Sequence, residues 1–126
     1  MAIQREYLGD GIYVFTWTGV IMASEAMMGQ HDVMHHATEN DVSYHYQIID
    51  MSNIQSIEWK VPAWRDVIRA NPDIVAITLV RPPGYIAVAT RTVLTLLPWI
   101  DFYIKDNRDE AIAFAQAYME RLLSAK

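Results

Sequence analysis

Apolar and β-branched residues gather in short blocks along this chain, separated by polar breaks and by glycine or proline. The strongest block is IVAITLV, Ile74 to Val80. Its unbroken apolar run predicts a strand covered on both faces. Tyr44 to Met51 is nearly as continuous and predicts a central strand, followed by a turn around Asp50-Met51-Ser52-Asn53. Ile3 to Leu8 and Ile12 to Thr18 flank the turn signal Gly9-Asp10-Gly11, which predicts an entry hairpin. Gly19 is expected to end its second strand. Trp99 to Ile104 predicts a last strand.

Helical spacing marks the segments between these strands. Ser24 can cap a helix running to Thr38, with Met27, Gln30, His31, Met34 and Ala37 on one face. Pro62 suits the first turn of a helix to Ala70, stopped by Asn71-Pro72. Tyr85 to Leu97 holds several β-branched residues, yet Ile86, Ala89, Val93, Leu96 and Leu97 form a helical stripe. Pro98 closes it. Asn107 can cap a final helix to Ser124, with Ala111, Phe114, Ala115, Tyr118 and Leu122 inward. The order β-β-α-β-α-β-α-β-α predicts a single α/β domain with a mixed, mostly parallel sheet and helices packed on it.

Composition narrows the function classes. The 126 residues suit one domain, and 52% of them are hydrophobic. A net charge of −5 argues against a nucleic-acid module and against anionic headgroups. The absence of cysteine excludes disulfides, thiolate metal sites and cysteine nucleophiles. No apolar run approaches the roughly 20 residues that span a bilayer. The chain starts without a charged-then-apolar leader. These features predict a cytoplasmic protein that is not membrane-embedded. So much apolar surface on a small domain also predicts a homodimer contact.

Several segments carry a resemblance to a known family. YLGDGIYVFTWTGVI resembles the entry hairpin of the STAS fold (sulfate transporter and anti-sigma factor antagonist), and of its SpoIIAA-like branch in particular. YQIIDMSNIQSIEW resembles its central strand, with the Asp and the following turn. IVAITLVRPPGYIAV and WIDFYIKDNRDEAIAFAQ resemble its closing strands and last helix. The resemblance implies a regulatory binding domain. In phosphoregulated members an Asp-Ser-Ser/Thr-Gly motif opens the second helix. Counted from Asp50, that motif falls on Glu58, Trp59, Lys60 and Val61, so neither hydroxyl nor glycine is present. The resemblance therefore implies the fold without the serine switch. The branch is also similar in architecture to lipid-binding CRAL/TRIO domains, which keeps a ligand carrier open.

Candidate chemistry is sparse. His31 and His35 are spaced i,i+4 and could share a metal, with His45 or Asp50 as a further ligand if the fold brought them close. A surface role is the better reading, because a helical His pair without the motif's glutamate is common. Ser52, His45 and Asp50 are triad residue types, but no nucleophile elbow accompanies them. Trp59 and Trp64, among Glu58, Lys60 and Arg65, read as aromatic anchors within a charged rim. Arg81-Pro82-Pro83-Gly84-Tyr85 follows a strand and precedes a helix, where open sheets bind ligands. Its prolines lack the amides of a phosphate loop.

The expected function is non-enzymatic. It is a binding or regulatory domain, without a cofactor, that meets a protein partner through Glu58, Trp59, Lys60, Trp64, Arg81 and Tyr85. The alternative is a carrier or sensor of a small apolar, lipid-like ligand, held between the sheet and the helices bearing Met27, Met34 and Ile86.

Overall fold

A computed structural model describes residues 3–58, 60–95 and 97–124. Among them, β1 (Ile3–Tyr7), β2 (Ile12–Ile21), β3 (His45–Ile57), β4 (Ile74–Val80) and β5 (Asp101–Lys105) form one sheet in sequence order. β1 and β2 pair antiparallel; β2 through β5 are parallel. The helices are α1 (Ala23–Glu39), α2 (Val61–Arg69), α3 (Gly84–Leu94) and α4 (Arg108–Ser124). This is the α/β order expected from the apolar blocks.

The entry hairpin turns on glycine. Gly11 sits at φ 77°, and an added Cβ would lie 2.7 Å from the Tyr44 carbonyl oxygen. Backbone at that distance has no room to yield, so only glycine fits. Gly19 does not end β2, as its sequence suggested. The strand passes through it at φ 71°, with register shifts on either side of residues 18–19, and continues to Ile21. A glycine at a bulge bends a strand without terminating it.

β3 departs most from expectation. No turn occurs at Asp50–Asn53, and the strand runs on to Ile57. Beyond Asp50 it pairs only with β2, from Asn53 opposite Thr18 to Ile57 opposite Ile21. Ser52, Asn53, Gln55 and Ser56 are exposed. Their polarity mimics a turn, yet it suits a strand segment that projects past its neighbours into water.

The sheet carries a core on each face. Alternation along β2 sends Tyr13, Phe15 and Trp17 toward α1, α2 and α3, and sends Ile12 and Val14 toward α4. On the α4 side, Tyr46, Ile48, Ala76 and Val80 meet Ala111, Ala115 and Met119. Phe114, Tyr118 and Leu122 flank that seam partly buried. At the start of α4, the Glu110 amide donates to Asn107 Oδ1 at 2.8 Å, the capping contact expected from the sequence.

The α1 stripe lies elsewhere than its apolar spacing indicated. Ala23, Ala26, Gln30, Val33 and Ala37 are buried, whereas His31 and Met34 are exposed. Small residues face the sheet because they let the helix approach closely, and the longer methionines are pushed to the flank and the surface. Ser24 is not the cap. The helix starts at Ala23, whose amide donates to Glu58 Oε1 at 3.1 Å, and the Met22 amide donates to Glu25 Oε1 at 3.3 Å. Trp99 precedes β5 and is exposed rather than in a strand. Leu96, expected on the α3 stripe, lies outside the described residues.

Candidate functional site

The side chains around the middle of β3 enclose the molecule's most distinctive chemistry. A cavity of about 60 Å³ lies between the sheet and the helices α2 and α3. Apolar groups make most of its wall, among them Ile49, Met51, Trp64, Val67, Leu79 and Ile86. Trp17, Gln30 and Gln47 add polar atoms. The Trp17 and Trp64 rings lie 5.8 Å apart, and the Trp64 indole N–H donates to the Glu58 carbonyl at 2.6 Å.

A buried polar network continues from that wall. Gln30 and Gln47 exchange amide hydrogen bonds, each Nε2 donating to the other's Oε1 at 2.8 Å. His45 Nε2 accepts from Gln47 Nε2 at 3.0 Å and from Asn71 Nδ2 at 3.3 Å. Two amide donors on Nε2 leave the ring proton on Nδ1. That Nδ1 is buried without a partner, and so is Trp17 Nε1. Burial lowers the His45 pKa to about 4, so the ring is neutral near pH 7. A buried donor left unmatched costs free energy.

The α4 face holds a different polar cluster. Asp50 accepts from the Ser52 amide at 3.0 Å, from the Ser52 hydroxyl at 2.6 Å and from Arg108 Nε at 3.2 Å. Arg108 also donates to Thr16 Oγ1. Burial raises the Asp50 pKa, but these donors outweigh it and hold the carboxyl below its ordinary value. Asp50 is therefore a structural anion tying β3 to the start of α4. Ser52 is its donor, and His45 sits on the opposite face. The three triad residue types do not converge.

The histidines disperse as well. His31 is exposed, His35 pairs with Glu39 at 3.1 Å, and His36 Nδ1 lies 2.8 Å from the Tyr13 hydroxyl. His36 is partly buried against Tyr7 and Tyr13. Among the described residues, no three His, Asp or Glu side chains gather in a metal-binding group.

The rim residues also separate. Lys60, Arg81 and Tyr85 are exposed at the carboxyl ends of β3 and β4. Arg81 adopts φ 51°, and its amide donates to the Lys105 carbonyl at 3.0 Å. Trp64 is a core side chain at 8% exposure, not a rim anchor. α2 turns it inward with Val67 because the two share the helix face over Trp17 and Ile57. Glu58 is half-buried and supports the start of α1, rather than sitting solvated in the first turn of α2. Trp59 lies outside the described residues. Met34 and Met27 do not line the cavity; of the three residues expected around a ligand, only Ile86 does.

Sequence reasoning missed the Gln30–Gln47–His45–Asn71 network. One signal was available: His45 and Gln47 alternate within an otherwise apolar strand, so both polar groups point to one buried face.

No protein-family model matches the chain, and no curated protein shows significant sequence similarity to it. Solved structures do match. The unphosphorylated form of the anti-sigma factor antagonist SpoIIAA superposes with a TM-score of 0.57 at 12% identity, covering 89% of this chain and 94% of that one. The fold is SpoIIAA-like. An uncharacterised DUF3478-family protein from Shewanella loihica, also of SpoIIAA-like fold, gives a TM-score of 0.60 at 15% identity over 90% of this chain and 92% of that one. The phosphorylated form of SpoIIAA, a Bacillus cell fate determinant, gives 0.54 at 16% identity over 89% and 97%. Within this SpoIIAA-like fold, the junction of β3 with α2 falls at residues 58–60. Glu58, Trp59 and Lys60 occupy it, with no serine or threonine. No helix among the described residues is long and apolar enough to cross a membrane.

Proposed function

We propose that this chain is a non-enzymatic regulatory domain that acts in the cytoplasm by binding another protein, without a serine switch. Its contact surface is the rim at the carboxyl ends of β3 and β4, continued along the outer side of α3. The observation that carries this reading is the open apolar strip there. Tyr85 is 55% exposed and Val88, one helical turn on, is 64% exposed. Large apolar groups left in water on adjacent turns favour a partner that covers them. Lys60 and Arg81 provide the charged rim. The likeness to SpoIIAA, itself an anti-sigma factor antagonist, supports a role in regulation by contact. The reading requires no cofactor.

Affinity capture with chemical cross-linking tests it. Tyr85→Ala is expected to abolish recovery of a stoichiometric partner while leaving the melting temperature unchanged. Equal recovery with the variant would remove this surface from the proposal.

A second reading has one observation in its favour. The buried, unmatched indole N–H of Trp17 belongs to a side chain that lines the cavity. A small, mostly apolar molecule with one hydrogen-bond acceptor would suit that wall. A lipid chain would not, since about 60 Å³ is well below the roughly 150 Å³ of a cavity that takes benzene. Native mass spectrometry of freshly purified protein tests this reading. A bound small molecule, lost in Trp17→Phe, is the expected result.

A further inference from the structure

Charge is distributed unevenly over this acidic protein. Lys60, Arg65, Arg69, Arg81 and Arg91 fall between residues 60 and 91, against only Asp66 and Asp73. That stretch is net +3 in a chain of net −5. Pairing is uneven too. Elsewhere Arg5 pairs with Asp32, Lys105 with Glu110 and Arg108 with Asp50. On the α2–α3 layer Lys60, Arg69, Arg81 and Arg91 are exposed and, among the described residues, in no ion pair. Arg65 reaches only its neighbour Asp66, at 3.8 Å. Outside this stretch Arg121 is also exposed and, among the described residues, unpaired. The unpaired cations nevertheless concentrate on the layer that exposes Tyr85 and Val88, where Arg91 also lies 5.8 Å over the Phe102 ring.

We infer that the α2–α3 layer docks an acidic, amphipathic protein segment, whose carboxylates meet Lys60, Arg69, Arg81 and Arg91 and whose apolar side chains cover Tyr85 and Val88. This rests on the reading that the layer meets a protein, and it names the partner's chemistry. Charge complementarity decides the occupant. A short acidic segment feels the local cations, because screening confines their field to about 8 Å at physiological salt. A long polyanion such as DNA, or an anionic membrane, must also approach the surrounding acidic surface and is repelled by it. The apolar strip further favours a partner that carries its own hydrophobic groups over a bare phosphate backbone.

Fluorescence anisotropy with synthetic peptides tests the inference on the full chain. The probe is a labelled helical peptide of Glu and Leu with Leu at i, i+3, i+4 and i+7. A Gln-for-Glu copy is the control. The expected result is saturable binding by the Glu peptide, at least about tenfold tighter than by the Gln copy, and weakened about tenfold between 50 and 500 mM salt. Lys60→Glu/Arg69→Glu is expected to remove that preference with an unchanged melting temperature, and Tyr85→Ala to weaken both peptides alike.

Equal binding of the two peptides, or a preference that survives the charge reversal, would overturn the inference. So would tighter binding to phosphatidylserine vesicles or to single-stranded DNA. Dimerisation in sedimentation that Lys60→Glu/Arg69→Glu abolishes would replace the acidic segment with a second copy. A captured partner lost in Tyr85→Ala but kept in Lys60→Glu/Arg69→Glu would defeat this inference alone, and leave the protein-binding function standing.

Discussion

The two faces of the sheet solve the same burial problem differently. On the α4 face one helix lays Ala111, Ala115 and Met119 against Ile48, Ala76 and Val80, and the buried polar atoms find partners. Tyr46 meets Thr78, and Asp50 meets Ser52 and Arg108. On the other face three helices cover a cavity, a buried amide–imidazole network and the unmatched nitrogens of Trp17, His45 and Arg65. The first face is saturated. The second retains unspent hydrogen-bonding capacity, and its outer layer carries the open cations and apolar groups. A saturated face stabilises the fold, and an unsaturated one is where binding has something to gain.

The strongest challenge to this contrast is Trp64→Ala. It removes an aromatic side chain from the cavity wall and is expected to cost about 3–5 kcal/mol in chemical denaturation. A loss below about 1 kcal/mol would mean that the helical cover on this face is loose, and the packing argument would fall.

Acid should separate the faces. His45 has a folded pKa of about 4 against an ordinary 6.5, so the unfolded chain binds the extra proton first. Stability is complete above pH 6.5 and declines as pH falls toward 4, by about 3 kcal/mol in all. Protonated His45 would present a donor at Nε2 to two amide donors, which explains why the folded state refuses the proton. Asp50 acts lower. Its carboxyl is held below the ordinary range, so its contribution is present above that range and is lost only as pH falls through its folded pKa. Urea titrations at pH 7, 5 and 4 should show the decline, and His45→Gln should flatten it. A decline unchanged in that variant would assign it to other groups.

Gln47→Ala comes next, at about 1–3 kcal/mol, because it strips partners from buried Gln30 and His45. The smallest expected effect is the most informative about function. Tyr85→Ala should change stability by less than about 0.5 kcal/mol and still abolish partner capture.

Much of the fold was legible because apolar runs and helix stops are local. Ile74–Val80 matched β4 residue for residue, and Asn107 caps α4. The errors share a cause. Ser52–Ser56 has turn-like polarity, but pairing with β2 holds it extended. Trp64 looked like a rim anchor because charged residues surround it in sequence, and the helix turns it the other way. Met27 and Met34 carry the hydrophobicity of α1, yet alanine faces the sheet, because contact distance rather than transfer energy selects the residue at a close seam.

The sequence by itself determined the order of elements, the acidic balance and the absence of hydroxyls at Glu58–Lys60. Those follow from composition and short-range periodicity. Only the tertiary structure decided that His45, Gln47, Gln30 and Asn71 form one network, and that Lys60, Arg69, Arg81 and Arg91 stay exposed without an ion pair among the described residues. Such groupings depend on which distant segments the sheet register brings within a few ångströms, and no local pattern encodes that distance.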